Sequence, residues 1–412
     1  MKDSSTRISL FVGKGGVGKS TLAAATAVRD AQAGQRVLVV STDQAHSLGD
    51  VLGVPVPPTG ERDPVRVFAD EGGGSLDALA LDTLALLAAR WQDVAGPVAR
   101  RFPDSELGNV APEELSALPG IQEVLGLHEV GELAGCGNWD RLVVDCASTA
   151  DALRMLTLPA TFGLYLERAW PRHRRLSMAD TGASAVVIEL TERVTEGVER
   201  LGALLTDPEA VSAHLVLTPE RVVAAEAART LGSLALMGVR VAELIVNQVL
   251  VQDDSYEYRN LPDHPAFEWY SARINEQRLV LDELSARTGE IALVLTPHLP
   301  GEPIGPKALA ELLEMARRRG GAPPPGPLRP VVDLESGSGL GSVYRMRLEL
   351  PQIDTGSLTL GRVDDDLIIG VGGMRRRVRL ASVLRRCIVM DAQLRGTELT
   401  VRFTPNPEVW PA

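Results

Sequence analysis

The residues from Val12 to Thr21 read VGKGGVGKST and hold the densest concentration of chemistry in the chain. Glycines at this density let backbone N–H groups turn inward and approach an anion with no Cβ in the way. A helix beginning just after them would aim its positive end at the same point. Lys14 and Lys19 add mobile positive charge, and they are two of only four lysines in a chain that carries 38 arginines. Gly13, Gly15, Gly16, Val17, Gly18, Lys19, Ser20 and Thr21 fit a phosphate loop. In such a loop Lys19 reaches the β- and γ-phosphates and the Ser20 hydroxyl ligates Mg²⁺. The spacing Gly13-x-Gly15-x-x-Gly18 also spells a dinucleotide fingerprint, with Asp43 near where a ribose-binding acid would fall. A dinucleotide site has no use for the Lys19-Ser20-Thr21 triplet, and Lys14 adds a second cation, so a nucleoside triphosphate is favoured. A loop that binds nothing is the third reading, weakened by the conformational freedom that glycines give up on folding.

Such a loop needs a strand before it and a helix after it. Ile8–Val12 is a short apolar run, Ser20–Gln32 is alanine-rich, and Arg36–Val40 reads as a second buried strand, together a βαβ unit. Further apolar runs at Leu142–Asp145, His214–Thr218, Leu244–Leu250 and Ile291–Thr296 alternate with helical stretches. The expected fold class is therefore α/β, a phosphate-loop domain with a mostly parallel, doubly wound sheet. Thr83–Phe102 and Ala185–Leu205 carry apolar residues at helical spacing and read as helices packing on that sheet. Arg317–Pro330, RRRGGAPPPGPLRP, has too much proline and glycine for a helix or a central strand and reads as a linker. Beyond it the periodicity becomes 2: Tyr344, Met346, Leu348 and Leu350 alternate with Arg345, Arg347 and Glu349. Short runs follow at Leu358–Leu360, Leu367–Val371, Arg377–Leu380 and Leu399–Phe403, as expected of a small all-β sandwich. The organisation expected is an ATPase-type domain over residues 1–316, with a helical subdomain near 83–135 and 151–207. A linker over 317–330 and a β-sandwich over 331–412 complete it.

A lysine directly after the first glycine of the loop, here Lys14, resembles the deviant phosphate loop of the MinD, ArsA and nitrogenase-iron-protein ATPases. The rest of the first ~310 residues is similar to the ArsA family, which includes arsenical pump-driving ATPases and guided-entry ATPases for tail-anchored proteins. Ser41–Asp50, STDQAHSLGD, resembles that family's first switch, and Asp145–Pro159, DCASTADALRMLTLP, its second. Thr218-Pro219-Glu220, Glu226 and Arg229 recur in the family's order, and Val246-Asn247-Gln248 and Pro297–Gly305 resemble its adenine site. The resemblance implies an ATPase that uses ATP and Mg²⁺ and works as a homodimer. Asp43 would orient the attacking water, and Lys14 would reach the nucleotide of the partner subunit. Asp145 would hold Mg²⁺ through water, Asn247 would contact the base, and Pro297 would belong to the loop closing over it. Taken singly, each has a plainer reading: an Asp at a strand end is often a cap or turn residue.

Departures from the family are equally informative. The targeting branch carries a Cys-x-x-Cys zinc site, and the matching positions here are Phe267 and Tyr270, so no zinc site is expected. Aromatic packing would then hold the dimer interface. Gln44 replaces a proline of the first switch, while Ser148, Ala150 and Asp151 alter the second, so hydrolysis is expected to be retained but slow. Residues 331–412 resemble the α-crystallin (small heat shock) domain fused to some ArsA-type ATPases, on Leu348–Pro351, Leu367–Val371 and Ala392–Leu399, AQLRGTEL. Arg375, Arg376, Arg377 and Arg379 read as an edge strand protected by charge.

Acids outnumber bases 54 to 42, for a net charge of −12, which argues against a nucleic-acid or anionic-membrane partner. No run reaches 18 uncharged apolar residues, so no membrane insertion is expected. Cys136, Cys146 and Cys387 are too scattered for a disulfide framework and suit a reducing cytoplasm. The function expected is Mg²⁺-dependent ATP hydrolysis that opens and closes a homodimer serving hydrophobic protein clients. The alternatives are a nucleotide-gated binding chaperone with little hydrolysis and an ATPase that energises arsenite efflux.

Overall fold

The computed structural model describes residues 6–43, 47–70, 72–89, 121–157, 196–197, 199–250, 263–288, 291–321, 330–350, 353, 356, 358–371 and 373–410. The N-terminal strands are β1 (Arg7–Gly13), β2 (Arg36–Ser41), β3 (Pro58–Thr59), β4 (Val65–Ala69), β5 (Ser75–Leu81), β6 (Arg141–Asp145), β7 (Val211–Leu217), β8 (Val241–Val249), β9 (Ala292–Pro297) and β10 (Arg317–Arg319). They form one sheet in the order β10-β9-β8-β7-β1-β6-β2-β5-β3, with β4 pairing to β5 off that path. Pairing is parallel except at β10 and β4, which run antiparallel to their neighbours. Strands β1, β2 and β6 are buried along nearly their whole length, which is why they read as continuous apolar runs.

The helix Lys19–Gln32 packs on this sheet through Ala23, Ala24, Ala25, Ala27 and Ala31, all fully buried. Alanine suits that position: it favours the helix and lets its axis lie close to the strands. The same helix packs against the helix Gly305–Glu314 from the far end of the domain. The chain leaves β1 between β6 on one side and β7 on the other, so the sheet order reverses there and opens a crevice at the strands' carboxyl ends.

The C-terminal strands are β11 (Val331–Ser336), β12 (Val343–Glu349), β13 (Thr359–Val363), β14 (Asp366–Val371), β15 (Met374–Arg379), β16 (Cys387–Arg395) and β17 (Glu398–Pro405). They make two antiparallel sheets, β11-β12-β17-β16 and β13-β14-β15, as the period-2 pattern implies. Leu348, Leu399, Val401 and Phe403 from one sheet share a core with Leu367, Ile369 and Val378 from the other. Gly396 (φ +60°) makes the turn between β16 and β17, and Leu399 is fully buried. Leu236, at the end of the helix Arg221–Met237, belongs to this second core rather than to the first.

The structure corrects the expected linker at its start. Arg317-Arg318-Arg319 pairs with Leu295-Val294-Leu293 as an edge strand, a place where arginines shield the unpaired side. Residues 322–329 lie outside the described residues. The expected helical subdomain is helical at 83–89, Ile121–Gly135, 149–157 and 199–205; its segments 90–120 and 158–195 lie outside the described residues. Strands β3, β4, β5, β11 and β16 carry no expectation from the sequence. No helix among the described residues is long and apolar enough to cross a membrane.

Candidate functional site

The glycine-rich loop joins β1 to the helix Lys19–Gln32 at the crevice. Two of its glycines have no substitute. A Cβ on Gly13 would lie 2.2 Å from the Val216 carbonyl oxygen. A Cβ on Gly18 would lie 2.3 Å from Asn247 Nδ2, and Gly18 has φ +90°. No side chain caps the helix, so its first N–H groups stay available to an anion.

Lys19 is only 7% exposed, and its Nζ donates to the Lys14 carbonyl at 3.1 Å. A buried ammonium held to the loop by one weak bond is ready to exchange that carbonyl for a phosphate oxygen. Lys14 is half-exposed, with its Nζ 3.6 Å from Glu226 Oε2 on the helix Arg221–Met237. Within a single chain Lys14 is therefore matched to its own acid.

Asp145 ends β6, in register with Phe11 of β1 and Ser41 of β2. Its carboxylate is fully buried, and neither oxygen has a hydrogen-bond partner. Burial pushes the carboxyl up to about 6. The Ser20 and Ser41 hydroxyls and the Lys19 charge pull it back, and the like charge of Asp43 pushes it further. Asp43 follows β2, with its N–H donating to Ser41 Oγ at 3.2 Å. The two predicted acids thus meet at the loop. An orphaned buried carboxylate beside a serine hydroxyl is a donor set suited to a hard cation, so the residues present fit Mg²⁺. Ser47 Oγ donates to Ser20 Oγ at 3.0 Å, tying the first switch to the same hydroxyl. Gln44, Ala45 and His46 lie outside the described residues.

A cleft of about 490 Å³ opens beside the loop, lined by Gly18, Thr21, Asn247, Gln248, Pro297 and the segment 298–304. Asn247 and Pro297, both expected at an adenine site, line this one cleft. The Asn247 side chain is already engaged: Nδ2 donates to the Val17 carbonyl at 2.9 Å, and Oδ1 accepts from Thr296 Oγ1 at 2.8 Å. Sequence reasoning gave Ser47 only as part of the first-switch motif and gave Thr296 no role, because a single hydroxyl residue gives no signal of its partner until the fold shows its neighbour.

In the second switch Ser148 Oγ donates to Asp151 Oδ2 at 2.6 Å, and Arg154 bonds the other oxygen of the same carboxylate. The altered residues thus close on one another along the helix 149–157. Cys146 is fully buried, and burial, followed by the Asp145 charge, pushes its thiol up to about 12, leaving it unreactive. Cys136, Cys146 and Cys387 fall after the helix Ile121–Gly135, after β6 and at the start of β16, three separate places. Of the two positions of the absent zinc motif, Phe267 is 37% exposed and Tyr270 is half-buried, and Trp269 between them is 66% exposed, all on the helix Pro265–Thr288.

Comparison with known proteins gives the family. The family model described as anion-transporting ATPase matches residues 6–316, and one described as an HSP20-like domain found in ArsA matches residues 341–403. Protein Rv2184c of Mycobacterium tuberculosis is 76% identical over the full length of both chains. The putative arsenical pump-driving ATPase 1 of Aquifex aeolicus is 26% identical over 96% of this chain and 99% of its own. ATPase GET3A of Arabidopsis thaliana is 27% identical over 73% of this chain and 81% of its own. Matched over residues 6–316 and carrying an HSP20-like module behind them, the chain belongs to the ArsA family of anion-transporting ATPases.

Proposed function

We propose that this chain hydrolyses ATP with Mg²⁺ in the crevice at β1, β2 and β6, and that the cycle opens and closes a homodimer serving hydrophobic protein clients. The observation that carries the reading is the Asp145 carboxylate, fully buried at the loop beside Ser20 and Lys19. Bound magnesium supplies charge neutralisation at the β- and γ-phosphates; the Ser20 hydroxyl would ligate it and Asp145 would hold it through water. The chain's own residues do the rest. The loop N–H groups and the helix N-terminus bind the phosphates, and Lys19 leaves the Lys14 carbonyl for them. Asp43 orients the attacking water. Lys14, released from Glu226, stabilises phosphoryl charge in a facing copy, and a long half-exposed cation is suited to that reach.

A homodimer explains why Phe267, Trp269 and Leu279 stand exposed on one helix. The Ser148–Asp151–Arg154 closure supports slow hydrolysis and keeps a second reading in view, a nucleotide-gated binder that turns over little. The separation of the three cysteines argues against a shared metalloid site, and so against arsenite export.

Steady-state ATPase assays with Mg²⁺ test the reading. Asp43→Asn and Lys19→Ala should each lower the rate roughly a hundredfold or more. Lys14→Ala should abolish nucleotide-dependent dimerisation measured by light scattering. Unchanged rates in the first two variants would overturn the hydrolytic assignment. Measurable ATP binding with no turnover in the wild type would favour the gated binder.

A further inference from the structure

We propose that the HSP20-like module restrains Lys14 through the helix Arg221–Met237: docked at the end of that helix, it keeps Glu226, nearer the start, against the lysine. This rests on the reading in which Lys14 leaves Glu226 to act on nucleotide in a dimer. The last carbonyls of a helix have no partner within it. Here the Gly238 and Val239 N–H groups donate to the Ala235 and Leu234 carbonyls at 3.0 Å each, and the Leu236 carbonyl accepts from Arg376 Nη1 of β15 at 2.8 Å. The Leu236 side chain is 1% exposed and belongs to the module's core. The module therefore completes this helix end, as hydrogen-bond donor and as apolar shelter.

Glu226 lies earlier in the same helix, roughly 15 Å from Leu236 along the axis, with its Oε2 3.6 Å from Lys14 Nζ. Glu226 and Thr230 of the helix, Lys14 of the loop and Thr149 of the second switch also line one void of about 10 Å³, the room of a single water. Loop and switch thus press on the helix with almost no slack, and a close-packed interior passes a displacement on instead of absorbing it. Both end contacts are made at once in this structure, so the docked helix is the one that offers Glu226 to Lys14. Coupling is reciprocal: if docking favours the Lys14–Glu226 pair, drawing Lys14 away favours undocking by the same factor. The pair is partly exposed, which limits that factor to a few-fold. Arg376 touches no nucleotide in this scheme and acts through the helix.

The test measures, by light scattering on the full-length chain, the protein concentration at half-maximal MgATP-dependent dimerisation. We expect Arg376→Ala to lower that concentration about threefold. In a Glu226→Gln background the same change should have no effect, because the pair it acts on is gone. A merely structural Arg376 would lower the melting temperature and act alike in both backgrounds, so equal shifts overturn the inference, as does no shift beside an intact Glu226. Hydrogen exchange on the wild type is a second readout that needs no variant to fold. The Gly238 and Val239 amides should exchange about threefold faster with MgATP than without it; unchanged or slower exchange overturns the inference. A wild type that stays monomeric with MgATP brings down the homodimer reading and this inference with it. A wild type that dimerises while the Arg376 effect ignores Glu226 sinks this inference alone.

Discussion

Single atoms decide what the glycine-rich loop tolerates. Gly15 faces open space, whereas Gly18 combines φ +90° with an amide nitrogen 2.3 Å from where a Cβ would sit. We therefore expect Gly18→Ala to destabilise the nucleotide-free protein by several kcal/mol, from left-handed strain of about 1–2 kcal/mol plus the clash. Gly15→Ala should leave the nucleotide-free melting temperature nearly unchanged; comparing the two melting curves checks the point. The sequence marks both glycines alike, since the pattern alone does not say which has a neighbour. A buried ionic relay away from the loop was likewise invisible. His214 of β7 stacks on Phe11 at 4.8 Å and donates through Nδ1 to Glu243 Oε1 at 2.9 Å, and Arg318 of β10 bonds Glu243 at 2.6 Å. Burial pushes the Glu243 carboxyl up, but the His214 bond and charge and the Arg318 guanidinium outweigh it and hold it down at about 2. A lowered carboxyl stabilises the fold above its unfolded value of 4.5, and that contribution is lost as pH falls through the folded value. Melting temperatures between pH 5 and pH 2 should therefore fall more steeply for the wild type than for Glu243→Gln.

At the scale of elements, the long helix Pro265–Thr288 does more than offer aromatic side chains. Gln277 on it is buried, accepts from the Leu250 N–H at 2.8 Å and donates to the Gln248 carbonyl at 3.4 Å. Those bonds brace the end of β8, where the β9 pairing slips between Val246 and Val249 and Gln248 takes φ +59°. The slip carries Asn247 to the loop, so the helix supports the cleft from behind. Gln277→Leu should raise KM for ATP several-fold with kcat little changed, and cost about 1–3 kcal/mol in denaturant unfolding. Arg273 of the same helix pairs with Glu220 at 3.0 Å, one residue before the helix that carries Glu226. The strands that position the loop, β1, β2 and β6, were legible because burial on both faces makes them uniformly apolar. Strand β5, SLDALAL, was not: its alanines and leucines favour a helix, and it is a strand only because it pairs with β2 and β4.

Across the whole molecule, the HSP20-like module is docked rather than merely tethered. Leu236 enters its core, and Arg376 Nη1 donates to the Leu236 carbonyl at 2.8 Å, at the negative end of the helix Arg221–Met237. Burial lowers the Arg376 guanidinium pKa, a sign of how fully this contact excludes water. The reading of Arg375–Arg379 as a charged edge holds for β15 as a position, but Arg376 turns inward to join the domains. The other end of the same helix carries Glu226, the partner of Lys14. Arg376→Ala should destabilise the docked state by about 1–3 kcal/mol, seen in calorimetry as the two domains melting at more widely separated temperatures. Removal of residues 331–412 should lower the melting temperature of the remainder, because Leu236 is then exposed.

Short-range pattern alone determined the phosphate loop, the alternation that builds a parallel sheet and the period-2 module, since each is written in consecutive residues. Asp43, Asp145, Asn247 and Pro297 were expected only from the resemblance, and the fold places them around one crevice. Only the tertiary structure decided the pairings across sequence: Thr296 with Asn247 and Val17, Glu226 with Lys14, Gln277 with the β8 slip, and Arg376 with Leu236. The reason is physical. Local propensity and periodicity act within a few residues, whereas a hydrogen bond between positions 230 apart in sequence, such as Asn247 to Val17, exists only once the sheet has set its register.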